Sequence, residues 1–211
     1  MNKILVYGAG GLGRGIIELL DSINKSNPNT WEILGFVDDQ ATGLINEYKV
    51  WGDSEDLLNT EEPMSVVLAL GNPKIKKKVY TKLKNNNKIR YPNIIHPSVE
   101  ISKFNNMGIG NVINKGVVMS TNIKLNNFNL IHYNSSIGHD VALGSYNSVF
   151  PLTSLSGYVV LNDEVEVGAN STILPSMEIN NNVIIGAGSV VITNIPKNAT
   201  AVGVPAKIIK E

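Results

Sequence analysis

From Ile95 to Val191 an Ile, Leu, Val or Met returns at every sixth residue without a break: Ile95, Ile101, Met107, Ile113, Met119, Leu125 and so on to Ile185 and Val191. A helix repeats near 3.6 residues and a flat strand at 2, so a sustained six is neither. It fits a short strand followed by a corner, coiled so that equivalent side chains stack into one inward ladder. Each coil buries its face only against its neighbours, so the array has to be long. None of the ladder positions is aromatic. A second, weaker register lies two residues before each aliphatic, at Val99, Val117, Ile123, Ser135, Val141 and Thr153 among others. One residue after the aliphatic, turn formers recur (Gly108, Asn114, Gly138, Gly144, Gly168, Gly186). Corners in the left-handed region are expected there, because Gly and Asn adopt that conformation most readily.

Before the repeat the pattern differs. Residues 3–7 are a strand-like apolar run, Gly8-Ala9-Gly10-Gly11-Leu12-Gly13 matches G-x-G-x-x-G, and Ile16, Ile17, Leu19, Leu20 and Ile23 form a helical stripe. Strand, glycine turn and helix are the context in which backbone N–H groups at a helix start approach a phosphate. A second strand over 32–37 ends in Asp38-Asp39, whose carboxylates can accept from ribose hydroxyls or base N–H groups. A third, over 65–70, ends at Gly71-Asn72-Pro73, where proline opens a helix whose Lys76-Lys77-Lys78 face reads as solvated. Only one βαβ half fits before residue 95, which suits a mononucleotide part better than NAD. The plainer alternative is that the glycines serve only a tight turn. The expected domains are 1–92, a Rossmann-like α/β half domain, and 93–211, an all-β solenoid.

Charge narrows the function. Lys+Arg and Asp+Glu number 18 each, so no global field draws nucleic acid. There are no cysteines, which excludes disulfides, thiolate metal sites and thiol nucleophiles. No apolar stretch is long enough for a membrane span, and the opening residues do not read as a signal peptide, so a cytoplasmic protein is expected.

Several stretches occur in order: Tyr-Gly-Ala-Gly-Gly-Leu-Gly at 7–13, Gly-Phe-Val-Asp-Asp at 35–39, Ala-Leu-Gly-Asn at 69–72, Ile-Ile-His-Pro-Ser at 94–98, Ile-Gly-His-Asp at 137–140, Ile-Gly-Ala-Gly-Ser-Val at 185–190 and Gly-Val-Pro-Ala-Lys at 203–207. With the period of six, this series resembles the bacterial hexapeptide-repeat sugar acetyltransferases. These are the enzymes related to sialic acid O-acetyltransferases and to N-acetyltransferases of UDP-linked 4-amino sugars. The resemblance spans essentially the whole chain. It implies a left-handed parallel β-helix of three hexads per coil, a bacterial homotrimer with active sites between subunits, acetyl-CoA as co-substrate, no metal, and a nucleotide-sugar acceptor.

The same resemblance implies site residues. His139 stands where the family has its catalytic base, with Asp140 as the supporting carboxylate. Without cysteine, direct transfer is expected rather than an acyl-enzyme. Gly157 would offer its N–H to the thioester oxygen, Ala169 and Ala187 would line the pantetheine arm, and Lys207 would meet a CoA phosphate. The nucleotide sugar would lie against Gly10, Gly11, Leu12, Asp38, Asp39, Gly71 and Asn72, with His132 as a further contact. His96 reads as structural. Two departures stand out: Leu12 and Ser148 occupy places where family members often carry His.

The expected reaction is acetylation of the amine of a nucleotide-linked amino sugar, for surface-glycan synthesis. Acetylation of a sugar hydroxyl is the alternative. A hydrase resembling γ-type carbonic anhydrases would use three histidines on zinc. The seven-residue step from His132 to His139 and the N-terminal domain speak against it. A non-catalytic nucleotide-binding scaffold is the remaining class.

Overall fold

The apolar run after Met1 forms β1 (Asn2–Tyr7), and the glycine turn leads into α1 (Gly11–Ser26), which buries Ile16, Ile17, Leu19 and Leu20. Then come β2 (Trp31–Val37), β3 (Leu44–Ile45), β4 (Tyr48–Gly52), α2 (Ser54–Leu58), β5 (Met64–Leu68), α3 (Pro73–Leu83) and β6 (Ile89–Arg90). The sheet order is β3-β4-β2-β1-β5-β6, parallel except for the β3–β4 hairpin. The chain runs outward from β1 to one side and returns to the other through β5. That reversal makes a switch point, and the crevice beyond the carboxyl ends of β1 and β5 is where open α/β sheets take ligands. Both chain turns at the switch point close tightly. Gly8 sits at φ +103°, and a Cβ there would lie 2.9 Å from the Ala69 carbonyl oxygen.

This computed structural model describes residues 1–210 and separates into two compact units, Met1–Pro97 and the chain from Ser98 onward. The second unit is a left-handed parallel β-helix built of two-residue strands. One face stacks Asn106–Met107, Lys124–Leu125, Ala142–Leu143, Val160–Leu161 and Glu178–Ile179. The next includes Leu130–Ile131, Ser148–Val149, Glu166–Val167 and Ile184–Ile185. The third stacks Val118–Met119, Ser136–Ile137, Ser154–Leu155, Thr172–Ile173 and Val190–Val191. Each of these rungs pairs with the residue 18 positions on, which is three hexads, until the last coil, where Ile184 pairs with Thr200 and Ile179 with Ile195, 16 positions on. From Leu125 to Val191 every sixth residue is buried, as the period requires. Ahead of that stretch the ladder is less regular. Ile101 is exposed and lies outside any strand, and Met107 and Met119 are half-buried.

The second register is also buried. Its polar members bond to the next coil: Asn129 accepts the Asn147 N–H at 3.0 Å, and Ser135 Oγ accepts the Thr153 N–H at 3.3 Å. Hydroxyls and amides are tolerated in this interior because each meets a backbone partner.

Two expectations need correcting. The left-handed corners fall three residues after each aliphatic, not one: Asn122, Asn134, Asp140, Leu152, Tyr158, Asn170, Ser176 and Asn182 all have φ between 56° and 64°. The glycines one residue after the aliphatic have ordinary φ and serve close approach of coils. A Cβ on Gly138 would lie 2.7 Å from the Gly157 nitrogen, and one on Gly168 would strike Ala187. Nor is the lysine run uniformly solvated. Lys77 and Lys78 are exposed, but Lys76 is 2% exposed, because α3 turns that position inward. Among the described residues no helix is long and apolar enough to cross a membrane.

Candidate active site and nucleotide-binding turn

In the first unit, the glycine turn opens α1 without a side-chain cap and without an acidic residue in its first turn. Among the described residues the N–H groups of Gly11 and Leu12 have no acceptor. A helix start in that condition favours an anion. The four glycines divide by task. Gly8 is required by its φ, and Gly13 because a Cβ there would strike the Gly8 carbonyl oxygen. By contrast, a Cβ on Gly10 meets nothing within 4 Å, and one on Gly11 only the Arg14 guanidinium at 3.9 Å. Turn geometry accounts for Gly8 and Gly13; it leaves Gly10 and Gly11 as open, exposed backbone.

The acidic pair after β2 is engaged by the protein itself. Asp38 Oδ2 accepts the Ala9 N–H at 2.8 Å, and Oδ1 accepts the N–H groups of Gln40 and Ala41 at 2.9 Å each. Asp39 accepts the Tyr7 hydroxyl at 2.9 Å and the Ser54 N–H at 2.8 Å. Lys82 in turn donates to Ser54 Oγ at 2.6 Å. Burial pushes both carboxyls up, but these donors outweigh it and hold both below the usual carboxylate range. Burial, and then the bond to Asp39, pushes the Tyr7 hydroxyl up. The sequence marked the two carboxylates but gave no sign of Tyr7 and Ser54 as their partners. A cavity of about 270 Å³ opens beside the pair, lined in part by Thr42, Asp53 and Asp56. Asn72 is also engaged, since its side chain accepts the Ile75 N–H at 3.1 Å and caps α3. Gly71 precedes it, half-buried.

In the β-helix, His139 and Asp140 occupy the corner that follows Ser136–Ile137. Asp140 takes the left-handed position at φ 58°, and its Oδ2 lies 2.9 Å from His139 Nδ1. A carboxylate only accepts, so in the neutral ring this contact calls for the proton on Nδ1 and the lone pair on Nε2. The imidazole is 53% exposed, enough to meet a substrate. The bond to His139 is the main cause holding the Asp140 carboxyl down, with a bond from Asn122 adding to it. Asn122 Nδ2 donates to Asp140 Oδ1 at 3.2 Å from one coil away. The Tyr158 ring stands edge-on to the imidazole at 5.1 Å and 88°. Neither Asn122 nor Tyr158 was expected from the sequence, although the 18-residue spacing from Asp140 pointed to both.

Gly157 lies against the imidazole. A Cβ there would sit 2.7 Å from His139 Cε1 and Nε2. Its carbonyl accepts from Ser176, while among the described residues its N–H has no acceptor. The cause is periodic. On another face the equivalent N–H groups find a side-chain oxygen one coil on, as Ser145 N–H finds Asp163 at 2.7 Å and Asp163 N–H finds Asn181 at 2.8 Å. One coil beyond Gly157 the matching residue is Pro175, which has no such oxygen. The N–H groups of Ala169 and Ala187 are likewise without acceptors among the described residues. Lys207 is exposed at the start of the last strand (Lys207–Lys210).

His132 lies on the corner before Ser136–Ile137, so the two histidines sit at opposite ends of the same face. Its Nδ1 accepts the Tyr133 N–H at 3.0 Å, and burial pushes its pKa down, which favours a neutral ring. Ser148 is fully buried. Among the described residues no cluster of His, Asp and Glu could hold a metal ion.

The PglD N-terminal domain family matches residues 3–83. No curated protein matches the chain by sequence. Among solved structures, the acetyltransferase domain of PglB from Neisseria gonorrhoeae, in complex with acetyl coenzyme A, is 28% identical with a TM-score of 0.91. It covers 99% of this chain and 100% of its own. PerB from Caulobacter crescentus, in complex with CoA and GDP-perosamine, is 24% identical with a TM-score of 0.89, over 99% of this chain and 97% of its own. WeeI from Acinetobacter baumannii is 23% identical with a TM-score of 0.86, over 99% of this chain and 100% of its own. Residues 3–83 thus match the PglD N-terminal domain family, and the chain is similar over almost its whole length to the acetyltransferase domain of PglB.

Proposed function

We propose that the protein transfers an acetyl group from acetyl-CoA to the amine of a nucleotide-linked amino sugar, directly and without an acyl-enzyme. The observation that carries this reading is the His139 corner. Asp140 holds Nδ1, the ring is half exposed, and Gly157, whose N–H has no acceptor among the described residues, lies against it. His139 takes a proton from the attacking amine through Nε2, and Asp140 stabilises the imidazolium that forms. The Gly157 N–H faces the negative charge that develops on the thioester oxygen. The amine nitrogen adds to the thioester carbon to form the new C–N bond, the adduct then collapses with loss of the C–S bond, and the His139 imidazolium returns the proton to the departing thiolate, releasing the CoA thiol. Acetyl-CoA bound to the 28%-identical PglB domain supports the donor. The unpaired N–H groups of Ala169 and Ala187 are suited to hydrogen-bond the amide carbonyls of a pantetheine arm, and Lys207 suits a phosphate.

In the first unit, the nucleotide diphosphate binds at the Gly10–Gly11–Leu12 helix start, bordered by Gly71 and Asn72. Asp38 and Asp39 hold the surrounding loops and offer their remaining lone pairs to the nucleoside. His132, neutral and half-buried, is a secondary contact to the acceptor. The active form is a homotrimer with CoA in the groove between β-helices. The column of Ser136, Ser154 and Thr172 beside His139 is small enough for close packing. The product serves surface-glycan synthesis in the bacterial cytoplasm.

The test is acetyl transfer measured with UDP-, GDP- and dTDP-linked amino sugars, alongside the hydroxyl-bearing sugars. Turnover of none of the amino sugars overturns the acceptor class. Sedimentation at micromolar concentration giving only a 22.8 kDa species overturns the trimer.

A further inference from the structure

The inference here rests on the acetyltransferase reading and concerns what fixes its base. We propose that Asn122 is a positioning residue which, through Asp140, sets the tautomer and orientation of His139. The geometry is a chain of two hydrogen bonds: Asn122 Nδ2 to Asp140 Oδ1 at 3.2 Å, and Asp140 Oδ2 to His139 Nδ1 at 2.9 Å.

Asp140 alone does not fix the imidazole. Its carboxylate is at a corner near solvent and has two equivalent oxygens. Rotation about its side chain would present either oxygen, or neither, to the ring. Asn122 removes that freedom. Both residues occupy the same left-handed corner one coil apart, at φ 59° and 58°, so the stacking of coils brings their side chains together. The amide donates to one carboxylate oxygen and leaves the other facing His139. A lysine or arginine at 122 would compete with the imidazole for the carboxylate, and an aspartate would repel it. A neutral donor does neither. The Tyr158 ring also stands edge-on to the imidazole at 5.1 Å. Gly157 leaves the space the ring occupies. The imidazole is thus bounded by a ring wall and by a carboxylate that is itself tethered. Catalytic geometry of this kind depends on such outer contacts, because a misplacement of about 1 Å can reduce the rate about a hundredfold.

The left-handed backbone dictates the variants. Alanine at 122 would introduce strain of its own, whereas Asn122→Gly removes the amide and keeps the corner relaxed. Asn122→Asp keeps shape and corner but replaces the donor with an acceptor. Three histidines make the imidazole nitrogens resolvable by ¹⁵N NMR on the full chain. Wild-type His139 should show the Nδ1–H form. Both variants should show a mixture with Nε2–H. In steady-state assays kcat should fall about tenfold with KM for acetyl-CoA unchanged. Thermal melting checks that the coil is intact.

The tautomer is read without substrate, so it stands or falls apart from the acetyltransferase assignment. Absence of acetyl transfer in the wild type would overturn that assignment and leave the NMR comparison valid. Wild-type tautomer and kcat in Asn122→Gly would overturn the positioning role and leave Asn122 as a corner residue only. A Nε2–H form in the wild type would overturn the chain of bonds itself.

Discussion

The two units divide the work between backbone and side chain in opposite ways. In the Rossmann-like unit the proposed binding surface is backbone, the uncapped start of α1 at Gly10 and Gly11, and nearby side chains hold it in place. Asp38 ties the turn through Ala9, and Asp39 ties Tyr7 to Ser54. In the β-helix the backbone ladders supply the rigidity, and the proposed chemistry belongs to side chains. One left-handed corner conformation accommodates Asn122, Asp140, Tyr158 and Ser176 in successive coils. A repeating scaffold can therefore change a corner side chain without changing its path. The glycine turn has no such freedom at its closest approaches, Gly8 and Gly13.

That contrast can be broken most severely at Gly13. Gly13→Ala forces apart backbone that touches Gly8, and a loss of about 4 kcal/mol or more is expected in denaturant titration. Gly10→Ala should leave the denaturation midpoint unchanged and weaken nucleotide-sugar binding, read by calorimetry. Equal destabilisation by both would erase the distinction between closing and open glycines.

His139→Ala tests the other half. A drop in kcat of about 10²–10⁴-fold with an unchanged melting temperature is expected. A melting temperature that falls with activity would show a structural histidine instead. Within the ladder, Leu155→Ala should remove about 3 kcal/mol of stability, since the stacked coils cannot collapse around the gap.

The smallest effect concerns pH. The Asp38 carboxyl is held below its unfolded value, so its contribution to stability is present above an unfolded pKa of about 4. It is lost as pH falls through the lower folded value. Urea midpoints at pH 7 and pH 3 should differ less in Asp38→Asn than in the wild type. An identical pH dependence would mean that the N–H contacts of Asp38 do not stabilise the folded state.

Much of this was legible in the sequence. The aliphatic period required a coil, because no other regular structure buries every sixth residue. The strand–glycine–helix order located the glycine turn that opens α1. His139-Asp140 was visible as neighbours in the chain. Contacts at a separation of 18 were less visible, since stacking creates them: Asn122 with Asp140, and Tyr158 with His139. The corner position was misread by two residues because glycine serves both left-handed turns and close packing, and composition does not distinguish the two. Lys76 was misread because a run of like charges gives no sign of which one a helix turns inward.

The sequence by itself determined the architecture and placed His139 beside Asp140, because periodicity and adjacency are properties of the chain. Only the tertiary structure decided which donors and acceptors were already taken. It engaged Asp38 and Asp39 with the protein's own groups and left the N–H groups of Gly11, Leu12 and Gly157 without acceptors among the described residues. Hydrogen-bond satisfaction depends on neighbours distant in sequence, and it decides which polar groups remain for a ligand.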